Sequence, residues 1–246
     1  MDVASGAPGG AGGSASAVSP APVVQLTGVT KEYGEGVGMV HALRGVSFDL
    51  DRGGFSALVG PSGSGKSTLL NLMGGLDRPT AGKVSVEGQD IAALRPAALS
   101  RLRMDRIGFI FQAYNLIPVL TAYENAEYVL LLQGVPSRDR RARIMELFET
   151  VGLAGLQDRF PRELSGGQQQ RVAIVRAIAA SPALVLADEP TANVDSKAGA
   201  ALMDLMAGLN ADRGVTFLFS THDPMVMERA RRRILLRDGL VEAFTD

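Results

Sequence analysis

Four nearly continuous runs of apolar residues recur along the chain, and they predict strands that are buried on both faces of a sheet. These runs cover residues 55–59, 107–111, 183–187 and 215–219. Residues 46–50 and 84–87 instead alternate apolar and polar side chains, which is typical of half-exposed antiparallel strands. The pattern therefore predicts a mainly parallel sheet, with a smaller antiparallel β part near the start of the chain.

Helical spacing dominates the stretch between Leu94 and Leu164. A clear helix is predicted to begin at Ser137, because the apolar residues that follow fall on one helix face: Ile144, Leu147, Phe148 and Val151. The arginines of this segment lie mostly off that stripe and indicate a solvated face. Near the end of the chain, Asp238-Gly239 between two apolar runs predicts a hairpin turn. Together these patterns predict an α/β fold.

Composition narrows the range of functions. The 246 residues carry 25 Lys and Arg against 26 Asp and Glu, so the net charge of -1 gives no general attraction to nucleic acid. The chain has no cysteine, which excludes disulfides and thiolate metal sites. No apolar run approaches the ~20 residues of a membrane span, and the N-terminus lacks the features of a secretory signal. We therefore expect a cytoplasmic protein.

The first 22 residues have a different composition, since 18 of them are Ala, Gly, Ser or Pro. Such a segment buries too little apolar surface to offset the entropy that ordering would cost. Residues 1–22 are therefore predicted to form a flexible tail that carries no chemistry.

A glycine-rich loop follows the first buried run and matches the pattern G-x-x-x-x-G-K-[ST]. It consists of Gly60, Pro61, Ser62, Gly63, Ser64, Gly65, Lys66 and Ser67, and Thr68 begins a predicted helix. Glycines let successive backbone N–H groups converge on an anion, and a helix N-terminus adds unpaired donors. Lys66 can supply a charge for the β and γ phosphates, and Ser67 a hydroxyl for Mg²⁺. The loop predicts binding of a nucleoside triphosphate.

Hydrolysis requires further groups, and the buried run at residues 183–187 is followed directly by Asp188 and Glu189. Because side chains alternate along a strand, the two carboxylates are predicted to project towards opposite sides. We assign Asp188 to the metal ion and Glu189 to the attacking water as general base.

A second glycine-rich segment opens another predicted helix but supplies no lysine. It consists of Leu164, Ser165, Gly166, Gly167, Gln168, Gln169, Gln170 and Arg171. Its helix N-terminus predicts an anion site that cannot hold a whole triphosphate alone. Two copies related by a two-fold axis could each cover the nucleotide of the other. The sequence therefore predicts a homodimer with two composite sites.

These motifs together resemble the ATP-binding-cassette (ABC) ATPases, and the resemblance covers about residues 23–244. Residues 60–67 are similar to the family's Walker A motif, 184–189 to Walker B and 164–168 to the signature motif. The remaining matches are Gln112 for the Q-loop, residues 193–195 for the D-loop, His222 for the switch histidine and Tyr33 for an aromatic residue that stacks on adenine.

The resemblance implies a P-loop NTPase core with an inserted α-helical subdomain. It places the core, with its antiparallel β subdomain, at residues 23–95 and 166–246, and the helical subdomain at residues 96–165. It implies ATP and Mg²⁺ as cofactors, with the metal held by Ser67, Gln112 and Asp188. Catalytic roles are implied for Glu189, His222, Gln112 and Lys66. Nucleotide contacts are implied for Tyr33, residues 60–68 and 165–168, and Asp195.

Local similarities point to one branch of the family. Residues 115–118, 123–125 and 191–195 are similar to the ATPases of bacterial lipoprotein-releasing, macrolide-efflux and cell-division systems. The resemblance implies integral membrane permease subunits as partners at the cytoplasmic face of the inner membrane, and no nucleic acid partner. Two alternatives stay open: a scaffold or signalling subunit of a cell-envelope complex whose assembly ATP controls, and a soluble ABC ATPase that acts on nucleic acid.

Overall fold

The computed structural model describes residues 21–245, so most of the predicted tail lies outside the described residues. The strands are β1 (Val24–Tyr33), β2 (Val40–Leu50), β3 (Phe55–Val59), β4 (Ala81–Val86), β5 (Gln89–Asp90), β6 (Ile107–Ile110), β7 (Leu184–Asp188), β8 (Thr216–Thr221), β9 (Arg232–Arg237) and β10 (Leu240–Thr245). The helices are α1 (Lys66–Met73), α2 (Pro96–Arg106), α3 (Ala122–Leu132), α4 (Ser137–Thr150), α5 (Gly166–Ile178), α6 (Ser196–Arg213) and α7 (Pro224–Arg229). In this part of the chain, none of the helices combines the length and hydropathy that a bilayer span requires.

Six strands form the larger sheet, in the order β10-β9-β3-β8-β7-β6. The five strands from β9 to β6 run parallel, and β10 pairs with β9 in the antiparallel sense. Asp238 and Gly239 make the β9–β10 turn with φ angles of 47° and 78°, the left-handed backbone that a tight hairpin requires. The predicted parallel sheet and its terminal hairpin are confirmed.

Successive residues of the central strands face two separate hydrophobic cores. In β8, Phe217 and Phe219 join one core while Leu218 joins the other. The same division places Phe55 and Leu58 of β3 in different cores. All five side chains are at most 2% exposed, and burying each stabilises the fold by about 1.5–3 kcal/mol. The apolar runs that form the central strands β3, β7 and β8 are therefore covered on both faces, as predicted, whereas Phe109 of the edge strand β6 is only half-buried.

Helices cover both faces of the larger sheet. Residues of α3, α4, α5 and α6 pack into the first core, and residues of α1 and α2 pack into the second. The stripe predicted for the helix that begins at Ser137 is confirmed, since its four apolar members are at most 2% exposed: Ile144, Leu147, Phe148 and Val151. Truncating Phe148 to alanine would cost about 3–5 kcal/mol, because the site cannot fully collapse around the missing ring.

Four strands form a separate antiparallel sheet in the order β2-β1-β4-β5. Its buried residues, such as Leu26 and Val84, join the second core beside Leu69 of α1. The antiparallel sheet therefore packs next to the helix that the glycine-rich loop opens. Strand β6 lies within the stretch assigned to the helical subdomain, yet it pairs with β7 in the larger sheet. The subdomain boundaries given above stay a prediction.

The loops that leave β3, β8, β7 and β6 gather at one edge of the larger sheet, because these strands are parallel neighbours. Gly60 follows β3, Glu189 follows β7 and His222 follows β8. Gln112 lies two residues beyond β6. Open α/β sheets bind their ligands at this carboxyl edge. The fold thus brings together motifs that lie far apart in the sequence.

Candidate functional site

The loop between β3 and α1 needs glycine at two positions where the backbone is closely approached. A Cβ atom on Gly60 would lie 2.0 Å from the Leu236 carbonyl oxygen. One on Gly65 would lie 2.6 Å from the Ala42 carbonyl oxygen, and Gly65 also has a φ angle of 103°. Any larger residue would push the loop away from β2 and β9. The tight turn therefore depends on both glycines.

Lys66 is the cation at the centre of this loop. Its side chain is buried, and its ammonium group donates to the carbonyl oxygens of Gly60 at 2.7 Å and Pro61 at 2.9 Å. Both acceptors are neutral, so these contacts do not balance the positive charge. A buried cation held this way favours an anion beside it.

A cavity of about 510 Å³ opens beside Lys66 at the carboxyl edge of the sheet. Its lining comes from the loops after β3, β6, β7 and β8, from the first residues of α1 and from the ends of β7 and β8: Pro61, Ser62, Lys66, Ser67, Gln112, Asp188, Glu189, Ser220 and His222. All of these except Ser220 are site residues predicted from the sequence. The structure therefore gathers the phosphate loop, both acids, the glutamine and the histidine around one space.

The two acids do not project towards opposite sides, so that prediction is wrong. Asp188 ends β7, and its carboxylate accepts a hydrogen bond from the Ser67 hydroxyl at 3.3 Å. Glu189 has left the strand with a φ angle of 45°, and both acids line the same cavity. Alternation holds only while the backbone stays extended. The left-handed turn at Glu189 brings its carboxylate round to the side of Asp188.

Glu189 and His222 form a close pair at the rim of this cavity. The distance between Glu189 Oε1 and His222 Nδ1 is 2.7 Å, and the Thr221 hydroxyl donates to Glu189 Oε2 at 3.4 Å. The Glu189 side chain is 15% exposed and that of His222 is 73% exposed. The carboxylate is thus held from two directions while the imidazole stays open to solvent.

Ser220 and Thr221 belong to this site although no role was predicted for either residue. Ser220 is fully buried, and its hydroxyl has no hydrogen-bond partner among the described residues. Ser220 nevertheless lines the cavity. Their position immediately before His222 at the end of a buried strand was the signal that could have identified them.

Tyr33 lies at the end of β1 and is not among the residues that line the cavity. Its hydroxyl donates to Asp77 Oδ2 at 2.8 Å and lies close to the hydroxyl of Thr68 in α1. Burial, and then the hydrogen bond to Asp77, raise the pKa of Tyr33 above its ordinary value. Because α1 begins at Lys66, the tyrosine ring is linked to the phosphate loop through this helix.

The loop after β6 and the loop before α6 hold each other through two hydrogen bonds. The Asn193 side-chain amide donates to the Gln112 carbonyl oxygen at 2.8 Å, and the Tyr114 hydroxyl donates to the Asn193 carbonyl oxygen at 2.9 Å. Asp195 caps α6 by accepting from the Ala198 amide at 2.9 Å. Asp195 is not among the residues that line the cavity. No role was predicted for Tyr114, which joins the two loops through its hydroxyl.

The glycine-rich start of α5 lies apart from the larger cavity. Ser165 and Gln168 form a capping box, in which the Gln168 amide donates to the Ser165 hydroxyl at 3.3 Å and the Ser165 amide donates to Gln168 Oε1 at 2.8 Å. Ser165, Gly167 and Gln168 instead line a separate cavity of about 240 Å³. A single chain therefore does not bring these predicted residues to Lys66.

An apolar groove lies beside the loop after β6. Its volume is about 440 Å³, and its lining is mainly hydrophobic with two arginines: Leu76, Ser100, Arg103, Met104, Phe109, Tyr128, Val129, Leu132 and Arg176. Arg176 also donates to the Tyr114 carbonyl oxygen at 2.8 Å. Leu132 is 58% exposed and Leu76 is 49% exposed, so the groove presents apolar surface to solvent. These nine residues are referred to below as the apolar groove.

Comparison with known proteins gives consistent matches over most of the chain. The sequence pattern of the ABC transporter family matches residues 43–192. The chain is 47% identical over 227 residues to the lipoprotein-releasing system ATP-binding protein LolD of Anaeromyxobacter dehalogenans, a match that covers 90% of this chain and 93% of LolD. It is 44% identical over 226 residues to the macrolide export ATP-binding/permease protein MacB of Marinobacter nauticus. That match covers 92% of this chain but 35% of MacB.

Among solved structures, the fold is similar to the ATP-binding cassette MJ0796 of Methanocaldococcus jannaschii. The TM-score is 0.84 and the sequences are 43% identical, with 91% of this chain and 98% of that chain covered. That structure is described as a dimeric post-hydrolysis state bound to ADP and Pi.

Proposed function

The chain belongs to the ABC transporter family as an ATP-binding, ATP-hydrolysing subunit, and we propose how its residues perform the reaction. Two copies close around two MgATP, and the closure and opening drive membrane-embedded permease subunits. The observation that carries this proposal is the separation of the two glycine-rich segments. Lys66 lies in the larger cavity with both acids, while Ser165 and Gly167 face a different space.

In each site the phosphates bind around Lys66. The ammonium group turns from the carbonyl oxygens of Gly60 and Pro61 to the β and γ phosphates, which offer charged acceptors. Backbone N–H groups among residues 62–65 and at the N-terminus of α1 contribute further donors. The base stacks on Tyr33, which α1 holds at a set distance from the phosphate loop. The nucleotide thus spans from the antiparallel sheet to the larger sheet.

The residues present fit one Mg²⁺ ion only when a nucleotide is bound with it. Among residues 21–245 no group of three or more His, Asp or Glu side chains is arranged to hold a metal. The Ser67 hydroxyl and the Asp188 carboxylate lie 3.3 Å apart and face the same cavity as Gln112. Magnesium sites of this kind combine one or two protein oxygens with phosphates and water. Ser67, Asp188 and Gln112 would hold the ion, which neutralises charge on the phosphates.

Glu189 acts as the general base for the attacking water. Its left-handed backbone aims the carboxylate into the cavity, and the hydrogen bonds to Thr221 and His222 fix its direction. The carboxylate takes a proton as the water oxygen attacks the γ phosphorus and the bond to the bridging oxygen of ADP breaks. The exposed His222 imidazole lies where it can contact the γ phosphate. The products are ADP and inorganic phosphate.

The second copy completes the site with the start of its α5. Ser165 and the amides at Gly166 and Gly167 present donors from a helix N-terminus, although they lack a cation for a whole triphosphate. Placed across the cavity of a partner, they meet the γ phosphate from the side opposite Lys66. The dimeric description of MJ0796 supports this arrangement. A two-fold dimer then has two equivalent sites.

The apolar groove is the surface we assign to the membrane partner. It is apolar, open and rimmed by Arg103 and Arg176, as a surface for an amphipathic helix with acidic residues would be. Arg176 links it to the loop that carries Gln112. The similarity to LolD and MacB, named as a lipoprotein-releasing protein and a macrolide export protein, supports efflux, lipoprotein release or mechanotransmission. The chain would then work at the cytoplasmic face of the membrane.

Replacing the base tests the proposal directly. Glu189→Gln should keep ATP affinity but lower the turnover rate by roughly 10²–10⁴-fold, because an amide cannot accept the proton. Turnover is measured as phosphate release and affinity by calorimetry. Glu228→Gln removes an exposed carboxylate on α7 and should leave both unchanged. Near-normal turnover in Glu189→Gln would show that Glu189 is not the general base.

A further inference from the structure

Asp77 lies in the turn after α1 and holds two residues of β1. The Lys31 ammonium donates to Asp77 Oδ1 at 2.7 Å, and the Tyr33 hydroxyl donates to Asp77 Oδ2 at 2.8 Å. The backbone amide of Arg78 also donates to Oδ1, at 2.7 Å. One carboxylate therefore ties the aromatic side chain at the end of β1 to the segment that follows the phosphate-loop helix.

The protonation states of these groups keep the arrangement intact at neutral pH. Burial raises the pKa of Asp77, but the hydrogen bonds from Lys31, Tyr33 and Arg78 outweigh it and hold the pKa below its usual value. Burial and the Asp77 bond raise the pKa of Tyr33. The carboxylate thus remains an ionised acceptor and the phenol remains a donor. The direction of the hydrogen bond between them is fixed.

The Tyr33 ring is held but still has open surface. The Lys31 ammonium lies over the ring at 4.8 Å from its centroid. Tyr33 is nevertheless 41% exposed. One face of the ring is thus occupied by Lys31, and exposed ring surface remains on which a flat base can stack.

Other contacts fasten the same strand end to the same turn. The Glu32 amide donates to the Thr80 hydroxyl at 3.0 Å, and the Lys31 ammonium donates to the Arg78 carbonyl oxygen at 2.8 Å. The turn continues from α1, whose first residue is Lys66. The distance from the ring to the phosphate loop is therefore set by a short, hydrogen-bonded path, and the ring needs little further ordering when a nucleotide arrives.

We propose that Asp77 is a positioning residue for the nucleobase: it fixes the Tyr33 ring so that stacking adds to ATP affinity. This inference rests on the proposed adenine role of Tyr33. Asp77 acts through the tyrosine and does not touch the nucleotide itself. Without the Asp77 carboxylate the Tyr33 ring is still present, but it is no longer held in the orientation that allows stacking.

Two ligands separate a role at the base from a general effect on the loop. Asp77→Ala should raise the Kd of ATP by roughly three- to tenfold, the cost of ordering one freed side chain again on binding, while the Kd of inorganic tripolyphosphate stays unchanged. Both are measured by calorimetry on the full chain. Asp204→Ala, which removes a carboxylate paired with Arg229 at 3.1 Å on another surface, should change neither Kd. Equal weakening of both ligands by Asp77→Ala, or no weakening, overturns the proposal.

A double-mutant cycle tests whether Asp77 works through the tyrosine hydroxyl. Tyr33→Phe keeps the ring and removes the bond, so it should reproduce much of the Asp77→Ala loss. The two losses should not add in the double variant, because they remove the same interaction. Additive losses overturn the proposal. Asp77→Asn keeps one acceptor oxygen and should give a smaller loss, which supplies a milder test if Asp77→Ala folds poorly.

Tyr33→Leu distinguishes failure of this inference from failure of the proposed site. If Tyr33→Leu leaves the ratio of ATP affinity to tripolyphosphate affinity unchanged, Tyr33 does not bind the base and that part of the proposed function is wrong. If Tyr33→Leu lowers the ratio while Asp77→Ala does not, Tyr33 keeps its role and Asp77 loses its own.

Discussion

The starts of α1 and α5 are both glycine-rich helix N-termini, yet they are built differently. Gly65 precedes α1 with a φ angle of 103°, and no side chain caps this helix. The first amides of α1 therefore remain available to a ligand beside Lys66. Ser165 precedes α5 and uses its own hydroxyl to cap the helix. The first is surrounded by side chains from three neighbouring strands, whereas the second faces a space of its own.

This difference explains why one chain would not complete the reaction site. The start of α1 has a cation, two acids and a cavity large enough for phosphates. The start of α5 offers donors that are already preorganised by the capping box, but the structure places them elsewhere. A helix start of this kind suits a surface that closes over a nucleotide bound by another copy. In the proposed dimer the two regions are complementary halves of one site, and the following changes test that relation.

Of three changes that probe the two helix starts and the link between them, Ser165→Arg should have the largest effect. A long cation at this exposed position would block closure of two copies, so turnover should fall on the order of 10²-fold while ATP affinity for the single chain is kept. Phosphate release and calorimetry measure the two quantities. Thr121→Arg removes the equivalent capping residue of α3 and should leave turnover nearly unchanged, which separates loss of a cap from loss of closure. Unimpaired turnover in Ser165→Arg would contradict the composite site.

Lys66→Ala should have the next largest effect and should act on binding first. Loss of a charged hydrogen-bond donor costs about 1.5–3 kcal/mol, so the Kd of ATP should rise roughly 10- to 100-fold. Calorimetry with the single chain measures it. Lys83→Ala on the exposed end of β4 is the matched control and should bind ATP normally. An unchanged Kd for Lys66→Ala would mean that ATP binding at the start of α1 does not require the Lys66 ammonium group.

Tyr114→Phe should have the smallest effect. It tests whether the loop after β6 is coupled to the start of α5 within one chain. The Tyr114 hydroxyl bonds to Asn193, and a Cβ added at Gly166 would lie 2.8 Å from that hydroxyl. Removing it should lower turnover about two- to fivefold without changing the Kd of ATP, since one hydrogen bond is lost. Tyr123→Phe, which removes a hydrogen bond to Glu127 within α3, should leave turnover intact. Equal effects of the two variants would count against a link through Tyr114.

Much of the fold and the order of the motifs could be predicted because they depend on local patterns. Runs of apolar residues identified the strands that both cores cover, and one helical stripe identified α4. Parallel strands then require their carboxyl ends to meet, which brings Lys66, Asp188 and His222 together.

Features that depend on single backbone angles or distant contacts were not predictable. The left-handed φ of Glu189 reverses the direction expected from alternation, and no pattern in the apolar residues records it. Asp77 reaches Tyr33 across 44 positions of the sequence, and Tyr114 reaches Asn193 across 79. Such pairs become visible only when the two sheets and their loops are placed in space.

Whether two copies close around ATP is decided by the mass of the Glu189→Gln protein in solution with and without MgATP. Light scattering during size-exclusion chromatography should give about 25.9 kDa, the mass of one chain, without nucleotide and twice that mass with ATP. Adding Ser165→Arg should return the mass to that of one chain while ATP remains bound. A Glu189→Gln protein that binds ATP and stays monomeric would contradict the claim that two copies close around the nucleotide.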